Sequence, residues 1–318
     1  MAAVVFNPIK VDLEALKAEV ARQESANGWG ATQWFETSVD DPGQGPTKRA
    51  LAAGVDMVIA AGGDGTVRAV AEAMENQKAA LALLPSGTGN LLARNLHLTL
   101  NDLENALAVA FGGESRAVDL GRIEIKRADG SVSAHSYVVM AGLGLDAKML
   151  AATDDGLKKR IGWLAYVGAL VTALRDKNQL RLRYSLDNGA VKTIRAHTII
   201  IGNCGLLPAN IMLLPDAAID DGLFDIVLFR PKGFIGWMQI IAKVVWENGV
   251  LRRTAAGRAL LAMQKDTSAL RYIQAKKIVV RLDRAHDIEL DGDSFGQAVA
   301  LKTWVAKGAL SVRVAAAG

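Results

Sequence analysis

The sequence predicts two domains of different class. An N-terminal doubly wound α/β domain is expected over residues 1–118 and a C-terminal β-sandwich over 119–308, an α/β-plus-all-β arrangement, with the last strand, in 309–318, free to return to the first domain. Three observations predict this. In the first third, short apolar runs alternate with stretches of helical spacing, the pattern of a parallel sheet covered on both faces. After Asp119 the helices thin out, and strand-like runs are separated by turn signals such as Asp129-Gly130 and Asn188-Gly189. The length of 318 residues is enough for two cores of ~150 residues each.

The elements follow in order. Ala3–Phe6 is an apolar strand closed by Asn7-Pro8, and Val11–Ser25 has helical spacing through Leu13, Leu16 and Val20. Gly30–Phe35 reads as a strand, Pro46–Gly54 as a helix, Met57–Ala60 as a buried strand and Thr66–Asn76 as a helix. Leu81–Leu84 and Asn90–Leu96 repeat the strand–helix unit. Beyond, strands are expected at Asp119–Lys126, Ser133–Ala141, Gln179–Leu186, Ala196–Gly202, Leu223–Phe229, Lys277–Leu282, Ile288–Leu290 and Ala309–Val314. Two helices, Leu157–Arg175 and Gly233–Leu251, interrupt them. Their apolar faces carry Trp163 and Tyr166 in one and Trp237 and Trp246 in the other. Such faces suit ordinary core, an acyl-chain pocket or a bilayer interface.

Composition narrows the function classes. A content of 51% hydrophobic and 22% charged residues is that of an ordinary globular chain. A net charge of +4 is too small to imply nucleic acid, and is compatible with attraction to an anionic membrane surface. The single cysteine, Cys204, allows no intramolecular disulfide and fits a reducing compartment. The N-terminus runs into a strand without the features of a signal peptide. The longest apolar helical stretch, Ile161–Leu174, is shorter than the ~20 residues of a membrane span. The expectation is a cytoplasmic protein, peripherally membrane-associated when working. The four histidines show no metal-ligand spacing, so neither a zinc site nor a Ser/His/Asp triad is expected.

The chemistry concentrates in two glycine-rich turns. Gly62-Gly63-Asp64-Gly65-Thr66 follows a buried strand and opens a helix. Its glycines let backbone N–H groups approach a ligand, and the helix N-terminus adds partial positive charge, so the turn suits a phosphate. Asp64 in that setting points to a metal ion or to a hydroxyl awaiting deprotonation. The competing reading is a plain strand-to-helix turn capped by Asp64 and Thr66. One βα unit later, Pro85-Ser86-Gly87-Thr88-Gly89-Asn90 repeats the arrangement. Two such turns would face one crevice at the carboxyl ends of parallel strands, where open α/β sheets bind ligands. Neither has the Gly-Lys-Ser/Thr ending of a P-loop, so backbone and hydroxyl groups would hold the phosphates.

These turns, with Ala93-Arg94 after the second, resemble the diacylglycerol kinase catalytic-domain family, including its bacterial lipid-kinase branch. Further segments are similar in the family's order: Phe6-Asn7-Pro8, Glu36-Thr37, Ala141-Gly142-Leu143-Gly144-Leu145-Asp146-Ala147, Pro215 with Asp220-Asp221-Gly222-Leu223-Phe224-Asp225, and Glu289-Leu290-Asp291-Gly292-Asp293. The first turn alone is shared with NAD kinases, whereas the whole series spans most of the chain. The resemblance implies ATP held by Asn7, Thr37, the turn Gly62, Gly63, Asp64, Gly65, Thr66, Val67 and Arg68, and then Gly87, Thr88 and Asn90. It implies a structural Mg²⁺ on Asp221 and the backbone carbonyls of Ala218 and Leu223. Asp293 stands where the family has its glutamate base, one methylene shorter, and Asp291 is the nearest substitute. Asp64 would be a direct or water-mediated ligand of the nucleotide's Mg²⁺. Arg68-Ala69 stands where Asn-Glu is usual, and Arg68 reads equally as a phosphate contact or a solvated helix residue. The opening turn Asn7-Pro8-Ile9-Lys10 lacks the usual small residues.

The implied activity is transfer of the γ-phosphoryl group of ATP to a lipid hydroxyl, with diacylglycerol as leading acceptor. The implied partners are a lipid substrate and a peripheral membrane surface, with a homodimer as an open option and nucleic acid excluded. Two other functions remain in play: a soluble-substrate kinase such as an NAD kinase, and a non-catalytic nucleotide- or lipid-binding protein.

Overall fold

The structure is a computed structural model that describes residues 1–87, 89–144, 180–207, 211–231, 236 and 270–316. Thr88 and the expected helix Leu157–Arg175 lie outside the described residues, as does all of Gly233–Leu251 except Gly236.

The chain opens with four parallel strands, β1 (Ala2–Phe6), β2 (Gln33–Glu36), β3 (Met57–Gly62) and β4 (Ala80–Pro85), in the spatial order β2-β1-β3-β4. β1 and β3 are buried on both faces, which is why their sequences are unbroken apolar runs rather than alternating ones. Helices α1 (Leu13–Asn27) and α5 (Leu103–Gly112) cover one face, where Leu16, Val20, Leu107 and Phe111 meet Val4, Phe6 and Ile59. α2 (Gln44–Ala52), α3 (Asp64–Ala73) and the short α4 (Leu91–Asn95) cover the other, with Ala50, Val67, Val70 and Leu92 against Val5, Val58 and Leu81.

α5 is not among the elements expected from the sequence. Its signals are local: Asp102 caps it by accepting the Asn105 N–H at 2.9 Å, and Leu107, Ala110 and Phe111 form its buried stripe.

The rest of the chain builds the sandwich. One antiparallel row consists of β5 (Glu114–Lys126), β6 (Val132–Tyr137), β8 (Leu180–Leu186), β9 (Lys192–Ala196), β15 (Lys277–Leu290) and β16 (Asp293–Val314), ordered β9-β8-β15-β16-β5-β6. The other row is β14 (Leu270–Ala275), β13 (Phe224–Phe229), β10 (Thr198–Gly202) and β7 (Met140–Leu143), joined to the far end of β15. A small hairpin, β11 (Leu206–Leu207) and β12 (Ile211–Met212), lies apart. Ile123, Ile125 and Tyr137 of the first row pack with Ile199, Phe224 and Ile226 of the second, as inward faces of a sandwich do.

Several strands differ from expectation: β9 and β14 have no expected counterpart, and the expected Lys277–Leu282 and Ile288–Leu290 are one strand, β15. The run Ser133–Ala141 divides into β6 and β7, because the N–H groups of Val138, Val139 and Met140 turn to the Asp291 carboxylate instead of a ladder. Ala309–Val314 is only the end of β16, which is 22 residues long. β16 belongs to both sheets: its middle pairs with β5, and Val312 lies parallel beside Leu81 of β4.

Candidate active site

The two glycine turns leave the carboxyl ends of neighbouring strands, Gly62 from β3 and Pro85 from β4, which are paired with each other. They touch. A Cβ on Gly87 would lie 2.8 Å from the Gly63 Cα, and a Cβ on Gly89 would collide with the Asp64 carboxylate. Glycine is therefore required at 87 and 89 by close approach.

Asp64 joins the turns. Its Oδ1 accepts the Leu91 N–H at 2.6 Å and its Oδ2 accepts the Asn90 N–H at 2.9 Å. It thus caps α4, the helix of the second turn, while α3, which it opens, has no side-chain cap. Burial raises its carboxyl above the usual range, the two N–H groups oppose that shift, and the negative charge of Asp293 adds to it. Asn90 sits in the left-handed region at φ 48°, and its amide bonds both the N–H and the carbonyl of Gly87.

Asp293 arrives from the other half of the chain. Asp291 and Gly292, at φ 50° and 90°, form the tight turn between β15 and β16, and Leu290 pairs with Asp293 across it. Positive φ at both central residues is the type I′ hairpin that an Asp-Gly pair favours. The turn sets Asp293 against α3, where its Oδ2 lies 3.3 Å from the Arg68 Nη2 and close over Gly65.

Arg68 is 6% exposed, so it is not a solvated helix residue. Its guanidinium also lies 3.6 Å from Glu72 and 4.6 Å from the centre of the Phe295 ring. Its Nε and Nη1 are sealed from solvent without a hydrogen bond, and its side-chain hydrogen bond runs from Nη2 to Asp293.

Asp291 does different work from Asp293. It is buried and accepts the N–H groups of Val138, Val139 and Met140 at 2.8, 2.8 and 2.9 Å. Burial still pushes its carboxyl up to about 6. That geometry makes it a structural anchor of the hairpin.

The remaining predicted residues divide between these strand ends and elsewhere. Asn7 follows β1, and its Oδ1 accepts the Ile9 N–H within its own turn. Thr37 follows β2, is buried, and donates its N–H to Phe6. Val67 turns its side chain into the core, so only its backbone faces the turn. An open crevice of about 330 Å³ lies beside these strand ends, lined by Lys10, Val11, Leu84, Ser86 and Asn101 among others. Asp221 stands on a different element: it is exposed, and its Oδ1 accepts the Leu223 N–H at 2.8 Å. Ala218 and Leu223 flank it in the loop before β13.

No cluster of three or more His, Cys, Asp or Glu side chains is poised to hold a metal ion among the described residues. The donors that are present are still of the kind Mg²⁺ takes, carboxylate and carbonyl oxygens. Asp64 and Asp293, close enough for the charge of one to raise the proton affinity of the other, fit a nucleotide-borne cation by charge.

Sequence reasoning missed the surroundings of Arg68. Glu72, His135 and Phe295 converge there from α3, β6 and β16, with the His135 and Phe295 ring centres 4.7 Å apart. It also missed Asp119, whose buried carboxylate accepts the N–H groups of Gly222 and Gly308 at 2.6 and 2.7 Å. No local spacing marks residues that meet only through the tertiary fold.

Comparison with known proteins matches the chain to two family models. The model of the diacylglycerol kinase catalytic domain matches residues 2–123, and that of the YegS C-terminal NAD kinase beta sandwich-like domain matches residues 138–314. A protein of Pseudomonas fluorescens (strain Pf0-1) named "Probable lipid kinase YegS-like" is 33% identical over 231 residues, 71% of this chain and 70% of that protein. One of the same name from Pseudomonas aeruginosa (strain UCBPP-PA14) is 33% identical over 227 residues, 70% of each. Among solved structures, a diacylglycerol kinase from Bacillus anthracis str. Sterne superposes with a TM-score of 0.67 at 18% identity, covering 98% of this chain and 96% of that one. Yeast NADH kinase complexed with NADH superposes at 0.55 and 8% identity, covering 100% of this chain and 84% of that one. These two structural likenesses establish the fold.

Proposed function

We infer the function from one premise: this chain belongs to the lipid kinase family built of a diacylglycerol kinase catalytic domain followed by a YegS-type β-sandwich. It is a lipid kinase by family. We propose further that it transfers the γ-phosphoryl group of ATP to a lipid hydroxyl, with diacylglycerol the leading acceptor and phosphatidate the product. The observation that carries the reading is the meeting of Asp293 with the phosphate-type turn Gly62–Thr66, brought together from the two ends of the chain.

The assignment of roles follows from that meeting. The N–H groups at the start of α3 have no helical partners and would receive phosphate oxygens. Asn7, Thr37, Gly87, Thr88 and Asn90 would complete the nucleotide site. Asp293 would take the proton of the lipid hydroxyl, for which a contact of ~2.6–3.2 Å is needed. Asp64 would hold the two turns together and face the nucleotide's Mg²⁺. That ion, when bound, supplies neutralisation of phosphate charge, the main requirement of phosphoryl transfer. A second Mg²⁺ would take oxygens from Asp221, Ala218 and Leu223. Lipid substrate and a membrane surface are the proposed partners, a homodimer is left to solution measurement, and nucleic acid has no role.

Asp293 being shorter than the family's glutamate, its orientation falls to Arg68, which holds the carboxylate at 3.3 Å. Arg68 is thus proposed as a positioning residue.

The test is transfer of label from [γ-³²P]ATP with Mg²⁺ to diacylglycerol, a sphingoid base and phosphatidylglycerol in mixed micelles, with NAD as a soluble acceptor. Label on a lipid is expected; label on NAD alone would move the chain to the soluble-substrate kinases. Mg²⁺-dependent thermal stabilisation that is lost in Asp221→Ala would support the second ion separately from turnover.

A further inference from the structure

The sandwich row β9-β8-β15-β16-β5-β6 has a solvent face that carries a cluster of basic side chains, with Glu124 and Asp283 the acidic residues beside it. On β8, Arg181 and Arg183 are exposed between the buried Leu180, Leu182 and Tyr184. Arg195 on β9, Arg281 on β15 and Lys126 on β5 are exposed alongside them. Strand register sets Arg181 directly opposite Arg195 and Arg183 directly opposite Arg281. Ala300 and then Lys126 continue the second row, which ends at Val132 on β6.

Like charges directly opposite each other destabilise a sheet. The ion pairs nearby join Arg122 to Glu75 and Lys302 to Glu124, and none reaches these five side chains among the described residues. The row from Thr193 to Val132 crosses six strands, about 24 Å at ~4.8 Å per strand. At its β6 end Val132 is 61% exposed, and Val191, two residues before Thr193 at the β9 end, is 68% exposed.

We propose that this face is a docking surface for an anionic lipid bilayer, with its basic centre on lipid phosphates and the two edge valines in the interfacial layer. The proposal rests on the lipid-kinase reading, which requires the chain to reach an acceptor that resides in a bilayer. No helix among the described residues is long and apolar enough to cross one. Nucleic acid fits the face less well. A single-strand site needs aromatic side chains open for base stacking, whereas Trp304 is half-buried and stacked under Lys302 at 4.5 Å. The face also connects to the chemistry, since β16 carries both Ala300 in the basic row and Asp293 at the hairpin.

The experiment is cosedimentation of the full chain with vesicles of phosphatidylcholine alone and with about one-third phosphatidylglycerol, at low salt where surface charges are least screened. The comparison is a variant carrying Arg181→Ala, Arg183→Ala and Arg281→Ala, with phosphorylation of a short-chain, water-dispersed acceptor measured in parallel. Binding selective for the anionic vesicles, lost in the variant by about 5-fold per arginine removed, supports the surface. Unchanged turnover of the dispersed acceptor shows that the loss is docking and not chemistry. Equal binding by both proteins overturns the proposal. So does binding of single-stranded RNA as tightly as the anionic vesicles, with the same loss in the variant. Vesicle binding that depends on the arginines in a chain without kinase activity would overturn the kinase reading and leave the surface standing. Removal of opposed like charges is expected to leave the thermal midpoint unchanged or higher, so a misfolded variant would be recognised; Arg183→Glu alone then serves as the second variant.

Discussion

At the scale of single residues, three aspartates at or beside the meeting of the glycine turns and the β15–β16 hairpin have been given different work by their surroundings. Asp64 accepts two backbone N–H groups, Asp291 accepts three, and Asp293 faces a guanidinium. Only Asp293 is free of backbone duty in the described contacts, which is why it suits proton transfer. If Arg68 orients it, Arg68→Ala should lower kcat by about 10²-fold, the loss expected for a misplaced catalytic group, with KM for ATP little changed. Combined with Asp293→Ala the two losses should not add, as for residues that act as a pair; steady-state kinetics on the four proteins checks both points. Asp291 gives a pH prediction. Its carboxyl is raised to about 6 in the folded protein against 3.8 ordinarily, so the native state binds this proton more tightly than the unfolded chain does. The stability it contributes is complete below the unfolded value and is lost as pH rises through about 6. The stability of wild type relative to Asp291→Asn, followed by thermal unfolding, should therefore fall as pH rises through that window.

At the scale of elements, what was legible depended on whether the signal was local. The buried strands β1, β3 and β4 and the two glycine turns were readable because apolar runs, glycines and helix starts lie within a few residues of one another. β9 and β14 were not, because their exposed positions are filled by polar residues and edge strands lack a second apolar face. The joining of β6 and β7 into one expected strand failed for another reason: the break is caused by Asp291, more than 150 residues away in the chain. The Asp-Gly turn before Asp293 was visible as a motif, yet its aim at Arg68 was not, since that contact spans 225 positions. Gly292, at φ 90°, is strained for any other residue. Gly292→Ala should cost about 1–2 kcal/mol of stability and lower turnover by more than Asp293's hydrogen bond alone explains, which denaturant unfolding and kinetics together would detect. In the sandwich core, Gly121 lies directly under the Tyr137 ring, which stacks on Phe224. Gly121→Ala should destabilise by about 1–3 kcal/mol through overpacking, measured in the same unfolding experiment.

At the scale of the molecule, the long strand β16 makes one body of two architectures. It begins at the hairpin with Asp293, crosses the sandwich beside β5 and ends parallel to β4. The pair Arg122–Glu75 and the contact Arg68–Asp293 tie the same two regions by side chains. Asp119 secures the loop of Gly222 to the bend at Gly308, so that the Asp220-Asp221 segment is braced against β16. This continuity explains how the glycine turn around residue 64 and a carboxylate at residue 293 come to lie together. The measurement that tests the account most directly is single-turnover transfer from [γ-³²P]ATP to diacylglycerol by wild type and by Asp293→Asn, with nucleotide affinity measured on both proteins. The account predicts a labelled lipid from wild type, at least a 10²-fold slower transfer in the variant, and ATP bound equally by both. Transfer at the wild-type rate by Asp293→Asn would contradict it, because the carboxylate that the fold carries to the phosphate turn would then have no part in the chemistry.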